Sequence, residues 1–457
     1  MRDLIISAII FSLMPVAFRR PYVGLVIFSW LAYMRVQDLT WGFARDFRWS
    51  FYIAIIMVAG YVSKRGGRLF VQDIRCYMML AMGILVGLGV VFGDHYGGFH
   101  LSFQISKYVE FVKIIGIALF TTAVVRTREH LRLLVWVIAL SLGFYGVKNG
   151  VWGIMTFGQV PILRGPGGML FDNNDLSLAL GMAVPMLWHI GTSEKRPVLR
   201  RAFLAMVPLT MFTVLLTHSR GGLLSLVGGL GVLVWRSRHR GIAIVLAIFA
   251  SIVGVIVMPP EMRERFASIA DYQSDGSANA RLRSWAVAIR MSADNPILGV
   301  GLSSFRQNYL QYQPNPTMQE LAGKDIYVAH NSYLQIWAET GTPCLILYLG
   351  LLVMSFFTVW KVRRLAQQRF HTSWLINYAT MFEATLVSFT IGATFLNRAH
   401  FDLFYHWVAI VLLFGYIAKH ELSDTARYPV KSGAGRGELR AVDPAGFDGR
   451  RRVRRRA

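Results

Sequence analysis

The stretch Ser332–Trp360, SYLQIWAETGTPCLILYLGLLVMSFFTVW, is the part of the sequence that decides the fold class. A helix needs about 20 predominantly apolar residues to cross a hydrocarbon layer about 30 Å thick, and this stretch exceeds that length. Leu223–Trp235 and Ile242–Met258 are further long apolar runs. Of the 457 residues, 54% are hydrophobic and 16% are charged, whereas a soluble chain carries about 25% charged residues. The composition therefore predicts an all-α polytopic membrane protein.

The apolar segments predict about 12 or 13 transmembrane helices, depending on whether both short segments at the start of the chain cross the membrane. They span residues 4–18, 21–34, 50–63, 76–93, 107–125, 131–156, 174–192, 202–217, 221–235, 241–258, 332–360, 374–396 and 404–419. The loops predicted on the outer side are 35–49, 94–106, 157–173, 218–220, 259–331 and 397–403. The predicted domains are an N-terminal bundle (1–258), a small helical periplasmic cap (259–331), C-terminal transmembrane helices (332–420) and a basic, disordered cytoplasmic tail (421–457).

The net charge of +23 is concentrated in short segments between the apolar runs and in the tail. Lysine and arginine accumulate in the cytoplasmic loops of membrane proteins, so these segments predict which side faces the cytoplasm. Each basic residue near anionic headgroups contributes about 1 kcal/mol to membrane binding. We therefore expect the tail to contact membrane lipids and do not interpret the charge as a sign of nucleic-acid binding.

The predicted cap is the longest segment between apolar runs. Helical spacing occurs in Glu261–Ala270 and in Ala278–Met291. The apolar face of the second predicted helix would consist of Leu282, Trp285, Ala286 and Ile289. The remaining predicted elements are a tight loop at 295–301, a short helix at 305–312 and a mobile run that ends at Lys324.

Several ionisable residues occur where the predicted topology should contain few of them. On the outer side these are Arg164, Arg220, Arg263, Arg265, Arg281, Arg283 and Arg398, and within helices they are Lys107, Glu110, Lys113 and Lys148. Any one cation could reach lipid headgroups or pair with Glu110 or Glu264. Because ionisable residues at membrane depth are costly and usually functional, the set as a whole predicts an anion-binding site.

Short motifs occur in a fixed order along the chain. They are FDNNDLSLA at 171–179, SRGG at 219–222, Arg281 with Trp285, NPILGVG at 295–301, HNSYL at 330–334 and ETG at 339–341. Together they resemble the signature region of the O-antigen ligase/polymerase superfamily, and the resemblance covers most of residues 1–420. The region that begins at Met1 resembles the O-glycosylation ligases of the exosortase-associated subgroup.

This resemblance implies a glycosyltransferase with a GT-C-like bundle in the bacterial inner membrane and its active site on the periplasmic face. It implies a glycan donor on undecaprenyl diphosphate, an acceptor hydroxyl on lipid A–core, and catalysis without a metal ion or another cofactor. In agreement, we interpret Asp172 and Asp175 as a helix cap, because the asparagines between them suit a cap better than a metal site. Direct attack by the hydroxyl would invert the anomeric configuration.

The chemistry assigns a role to each candidate site residue. Arginine can hold phosphate oxygens through two N–H groups and stays charged, and a helix start such as that at Arg220 also favours an anion. Histidine suits proton removal from an attacking hydroxyl near neutral pH, so His330 is the predicted general base, with Arg281 as its catalytic partner. The predicted diphosphate ligands are Arg220, Arg265, Arg283 and Arg398, and the supporting residues are His218, Asn331, Glu339, Lys107 and Lys113.

Other functions stay open at this point. An O-antigen or exopolysaccharide polymerase, or a protein O-oligosaccharyltransferase, would differ from a ligase mainly in its acceptor. A lipid-linked glycan transporter would use Lys113, Lys148 and Glu339 as pathway residues, although the sequence shows none of the inverted repeats that many transporters contain. A non-catalytic scaffold would tolerate substitution of His330.

Overall fold

A computed structural model of the protein describes residues 1–64, 67–93, 98–238, 240–241, 244, 276–324 and 326–431. The helices up to residue 236 are α1 (Arg2–Arg19), α2 (Pro21–Met34), α3 (Phe43–Asp46), α4 (Trp49–Val62), α5 (Ile74–Phe92), α6 (Gly98–Val124), α7 (Arg128–Met155), α8 (Asn173–Ser193), α9 (Pro197–Leu216) and α10 (Arg220–Arg236). The later helices are α11 (Gly276–Asp294), α12 (Phe305–Asn308), α13 (Met318–Leu321), α14 (Ser332–Gln367), α15 (Ser373–Phe395) and α16 (Asp402–Ser423). Two strands, β1 (Arg164–Gly167) and β2 (Leu170–Asp172), form an antiparallel hairpin between α7 and α8, and 3₁₀ turns span Val36–Leu39 and Tyr309–Tyr312.

These helices form the polytopic membrane bundle that the sequence predicts. Among the described residues, six helices are long and apolar enough to cross a membrane: α5, α7, α8, α9, α14 and α16. The apolar helices α2 and α4 are shorter. Every predicted apolar segment coincides with a helix except 241–258, which lies almost wholly outside the described residues.

The structure differs from the predicted outer loops in two places. Helix α6 begins at Gly98, so it includes most of the loop predicted at 94–106. The loop predicted at 157–173 contains the β hairpin, in which Arg164 pairs with Asp172 and Gly167 with Leu170. The second strand of the hairpin leads directly into α8.

The first residues of the predicted disordered tail are ordered. Helix α16 extends to Ser423, and the chain then returns to the loop between α14 and α15. The backbone N–H of Phe370 donates to the Pro429 carbonyl oxygen (3.0 Å), and that of Lys431 donates to the Gln368 carbonyl oxygen (2.9 Å). The rest of the predicted tail, 432–457, lies outside the described residues.

Helices α8 and α16 occupy the centre of the bundle. In their most apolar 18-residue windows 83% and 78% of residues are buried, compared with 28% in α9. Helix α8 packs against α7, α9, α10 and α15. The residues at its N-terminus are therefore held by neighbours on several sides.

The described part of the cap is helical, as predicted, but α11 buries a different face. Leu282 and Ile289 are exposed, whereas Val287 and Met291 are buried. The buried residues of α11 share a small apolar core with Phe305, Tyr309, Ala329 and Ala338. Helical periodicity predicts which face of α11 is apolar, but the small core forms on the adjacent face, which carries Val287 and Met291.

The run to Lys324, predicted to be mobile, contains the short helix α13. Thr317 and Glu320 form a capping box at its start, in which each side chain accepts a hydrogen bond from the other residue's backbone N–H. The Glu320 carboxylate is buried and also bonds Arg283 and Tyr309. The predicted segment 259–275, with Arg263, Glu264 and Arg265, lies outside the described residues.

Candidate functional site

The start of α8 is built by the two aspartates of the FDNNDLSLA motif. The Asp172 carboxylate accepts from the Asn174 backbone N–H (2.7 Å), and the Asp172 N–H donates to the Asp175 carboxylate (3.3 Å). This is a capping box, so the interpretation of the acidic pair as a helix cap is confirmed.

Asp175 also has a partner from the far end of the chain. Two guanidinium nitrogens of Arg398, Nε and Nη2, donate to its two carboxylate oxygens. The Arg398 backbone N–H donates to the Ser332 hydroxyl (2.8 Å), which in turn donates to the Leu396 carbonyl oxygen (2.7 Å). The loop before α16 is therefore attached both to the start of α8 and to the start of α14.

The SRGG motif brings the start of α10 against the same region. The Ser219 hydroxyl accepts from the Gly222 N–H (3.1 Å) and donates to the Asn174 side-chain oxygen (2.7 Å). A Cβ atom at Gly222 would lie only 2.0 Å from the Ser177 hydroxyl oxygen. Glycine is required here because the two helix starts approach so closely, and Arg220 is the first residue of the helix whose N-cap contacts Asn174.

Two histidines occupy equivalent positions before these motif helices. His218 precedes Ser219, the N-cap of α10, and His330 precedes Asn331, the N-cap of α14. Both histidines have a positive φ, 55° and 48°, which is uncommon for residues other than glycine and is often found at functional sites. The Asn331 side chain accepts from the backbone N–H groups of Tyr333 (2.9 Å) and Leu334 (3.1 Å). Its supporting role is therefore to cap the helix that positions His330.

The electrostatic environment of His330 connects the cap to the bundle. Burial, and next the positive charge of Arg281 on α11, lower the pKa of His330 to about 4, while the negative charge of Asp172 opposes the shift. His330 lies outside the membrane-spanning helices and is partly buried. At neutral pH its imidazole is therefore uncharged and able to accept a proton. The structure thus places both Arg281 and Asp172 within electrostatic reach of His330.

The NPILGVG and ETG motifs fit together across a break in α14. Gly341 interrupts the helix with a φ of 81°. On either side of the break, the N–H of Val300 donates to the Ala338 carbonyl oxygen (2.8 Å) and the N–H of Thr342 donates to the Pro296 carbonyl oxygen (2.8 Å). The loop thus replaces hydrogen bonds that the helix loses at the break, and it ties the cap to the helix that follows His330.

Glu339 supports the same junction from inside. Its carboxylate is buried, accepts from the Gln335 amide (3.2 Å), and interacts with the backbone at Ser303 and Phe305. Gln335 in turn accepts from the Ala399 N–H (3.1 Å). Glu339 is thus a residue of the cap–bundle junction, which agrees with a supporting role.

The other predicted site residues have contacts of a different kind. Arg283 pairs with Glu320 (2.6 Å), so its charge stabilises the cap. Lys107 pairs with Glu110 (2.9 Å), as the alternative of ion pairing proposed, and Lys113 lies over the ring of Phe51 (5.3 Å). No described contact joins these three cations to His330, and Arg265 lies outside the described residues.

Sequence reasoning missed two features of the site. Asp175 was identified as part of a cap, but its pairing with Arg398 joins residues that are 223 positions apart. Ser332, next to the HN pair, connects to the loop at Arg398 in the same way. The presence of Arg398 in a loop predicted on the outer side was the one signal that could have suggested a partner for Asp175.

Comparisons with known proteins agree with the motif order. Residues 202–349 match the model of a family described as O-antigen ligase, and residues 1–194 match a family of unknown function. A protein of Pseudomonas aeruginosa described as an O-antigen ligase is 25% identical over 256 residues. The alignment covers 55% of this chain and 57% of that relative, so a little over half of the relative is matched. Arg220, Arg281 and His330 lie inside the matched family segment, whereas Asp175 and Arg398 lie outside it.

Proposed function

We propose, for a chain whose residues 202–349 are an O-antigen ligase family domain, that the protein transfers a glycan from undecaprenyl diphosphate to a hydroxyl of lipid A–core. The reaction would occur at the periplasmic face of the bacterial inner membrane. The observation that carries the proposal is that Arg281 and Asp172 both lie near an uncharged His330, and that Asn174, two residues after Asp172, contacts the N-cap of α10. A site with this composition can bind an anion and accept a proton.

The donor diphosphate would bind at Arg220 and Arg281, with Arg265 as a further candidate ligand. Helix starts favour anions because their first N–H groups are not used within the helix, and Arg220 occupies such a start. Arginine adds a charge that can bind two phosphate oxygens at once. Arg398 and Arg283 are already bound to Asp175 and Glu320, so we assign them to positioning the site and the cap.

The acceptor would be activated at His330. The hydroxyl proton moves to the imidazole as the oxygen bonds to the anomeric carbon, and the bond from that carbon to the diphosphate oxygen breaks with its electron pair. Undecaprenyl diphosphate leaves as an anion held by the arginines. One displacement inverts the anomeric configuration. Because guanidinium groups neutralise the leaving group, the reaction needs neither a metal ion nor a cofactor.

Donor binding would also raise the pKa of His330. A pKa of about 4 leaves His330 uncharged but weakly basic, and a general base is most effective when its pKa is near the working pH. A bound diphosphate neutralises Arg281 and adds negative charge, and both changes raise the pKa of His330. Proton transfer is then favoured only when the donor is present.

The proposal is tested by transfer in vitro with purified protein, undecaprenyl-diphosphate-linked glycan and rough lipopolysaccharide. We expect ligation in the presence of EDTA with inverted configuration, and loss of about 10²–10⁴-fold in rate for folded His330→Ala protein. Glycan elongation in the absence of lipopolysaccharide would indicate a polymerase instead, and modification of an added protein would indicate a protein O-oligosaccharyltransferase. Normal function of His330→Ala in cells would point to a transporter or a scaffold.

A further inference from the structure

A second cationic pocket is lined in part by the β hairpin. Its walls are formed by Tyr145, Lys148 and Asn149 of α7, by Asp38 after α2, and by the segment 164–166 of β1. The three residues of α7 have the spacing that places side chains on one helix face. Neither Lys148 nor Arg164 contributes to the proposed transfer mechanism.

The pocket has an excess of positive charge. Asp38 is its one acidic group among the lining residues, and Asp38 is bound to the guanidinium of Arg35. Within the described part of the chain, Lys148 and Arg164 have no ion-pair partner. The Asn149 amide provides further N–H donors, while the Tyr145 hydroxyl is used as a donor to the Met34 carbonyl oxygen (2.6 Å). Such a group of donors suits an anionic oxygen ligand.

The hairpin turn packs directly on Arg35, and a Cβ atom at Gly168 would lie 2.1 Å from an Arg35 guanidinium nitrogen. Gly168 has a φ of 54° and Gly167 a φ of 119°, so two adjacent residues adopt backbone conformations that suit glycine. The turn that follows Arg164 thus packs against the Arg35–Asp38 ion pair, and Asp38 lines the pocket.

Exposed apolar side chains lie close in sequence to the residues that line the pocket or pair with them in the hairpin. Leu163 and Phe171 on the hairpin are exposed, as are Trp152 and Phe157 near the end of α7. Aromatic residues concentrate where a membrane meets water, at the level of lipid headgroups. The surroundings therefore favour an anion attached to a lipid over a soluble anion.

The hairpin connects this pocket to the proposed reaction site. Arg164 is the register partner of Asp172, and paired residues in antiparallel strands have Cα atoms about 5 Å apart. A transfer between two lipids requires both to lie side by side in one membrane leaflet. Two phosphate-bearing lipids also repel each other, so each needs its own cations.

We propose that the pocket of Lys148 and Arg164 binds a phosphate group of the acceptor glycolipid. This inference rests on the proposed function, because it takes the diphosphate of the donor to occupy the site at Arg220 and Arg281. With the phosphate held at the hairpin, the sugar part of the acceptor lies on the side of Asp172 and His330. The pocket thus selects acceptors that carry phosphate on their lipid part.

The test is equilibrium binding of lipid A to the full-length protein in detergent, using phosphorylated lipid A and the same lipid after phosphatase treatment. Wild-type protein should bind the phosphorylated form at least about 10-fold more tightly, as expected for charge-assisted hydrogen bonds. Lys148→Gln and Arg164→Gln should each remove most of that preference, and Lys148→Arg should retain it. Equal binding of both lipids by the wild type, or a full preference in both glutamine variants, would overturn the proposal.

Two controls test whether the phosphate preference belongs to this pocket and to a lipid. Arg45→Gln removes an exposed cation of α3 that does not line the pocket, and it should leave the preference unchanged. Inorganic phosphate should compete poorly, and full competition at equal concentration would overturn the assignment to a lipid. If the wild type shows this phosphate preference but transfers no glycan to lipid A–core, the proposed function fails while the pocket stands as a lipid phosphate site.

Discussion

Arg398 binds Asp175 through two guanidinium nitrogens, and this pair joins the loop before α16 to the capped start of α8. Asp175 is buried, whereas 35% of the Arg398 side chain is exposed. Removing Arg398 therefore leaves a buried carboxylate without its partner, whereas removing the charge of Asp175 leaves a partly solvated guanidinium.

We predict that Arg398→Ala destabilises the protein more than Asp175→Asn does. An uncompensated buried charge costs about 3–5 kcal/mol, while the exposed part of Arg398 can be solvated when Asp175 is neutral. The measurement is thermal unfolding of the purified variants in the same detergent. The double variant Arg398→Ala/Asp175→Asn should recover part of the loss, and strictly additive effects would contradict a direct pair.

For the diphosphate ligands, the expected change is in activity rather than stability. Arg220→Lys and Arg281→Lys keep the charge but cannot bind two phosphate oxygens with one planar group, so both should transfer glycan more slowly. Arg283→Lys, whose charge pairs with Glu320, should keep most of its transfer rate. Initial rates over a range of donor concentrations provide the comparison. Wild-type rates in both Arg220→Lys and Arg281→Lys would exclude these arginines as bidentate ligands of the diphosphate.

The pH dependence should differ between free and donor-bound protein. The pKa of His330 is lowered to about 4 in the free protein, so its imidazole becomes protonated, and inactive as a base, only as the pH falls through that value. Bound diphosphate raises this pKa, which moves the loss of activity to higher pH. We therefore expect the acid limb of kcat to lie at higher pH than that of kcat/KM for the donor, because the two report the bound and the free states. Coincident limbs would contradict the coupling between donor and base.

Glycine at the break in α14 should be essential for folding. Gly341 has a φ of 81°, and a Cβ atom there would lie 2.2 Å from the Ile297 carbonyl oxygen. The backbone conformation alone costs about 1–3 kcal/mol for other residues, and the clash separates the cap loop from the helix. Gly341→Ala should thus lower the unfolding temperature and the yield. Gly231→Ala in α10 is the matched control. A Cβ atom at Gly231 meets nothing within 4 Å, so α10 should tolerate alanine there.

The topology predicts opposite locations for two reporters. A fusion after Ser423, at the end of α16, should report the cytoplasm, and an insertion at Pro316, in the cap, should report the periplasm. The physical reason is the asymmetry of basic loops, which holds arginine-rich segments on the cytoplasmic side. Paired phosphatase and fluorescent-protein fusions measure this directly, and the same compartment for both positions would disprove the placement of the site.

Much of the bundle could be predicted from local features of the sequence. Helices such as α5, α7 and α14 follow from apolar length, because a chain in hydrocarbon must satisfy its backbone hydrogen bonds within each segment. The helix N-cap at Asp172 was also predictable from local sequence, because its hydrogen-bond partners lie within three residues. The motif order also identified His330, Arg281 and Arg220 as one candidate site.

Other features depend on residues that are distant in sequence. The early start of α6, the hairpin of β1 and β2, and the face that α11 buries were all predicted differently. In α11 the pattern identified an apolar side, but Leu282 is exposed because the cap core forms around Val287 and Met291. Periodicity describes a helix by itself, whereas burial depends on which neighbour the helix meets.

The sequence by itself determined a membrane bundle, its approximate helix boundaries, its capping residues and the chemical types of the candidate site residues. Only the tertiary structure decided which cations are committed to carboxylates, as Arg398 is to Asp175, and which line open pockets, as Lys148 and Arg164 do. It also decided that the loop at Pro296 fills the break at Gly341. Helix formation and capping involve neighbours a few residues away, so their pattern is visible in sequence. Ion pairing and close backbone approach depend on the packing of whole helices, which brings together residues that no local pattern connects.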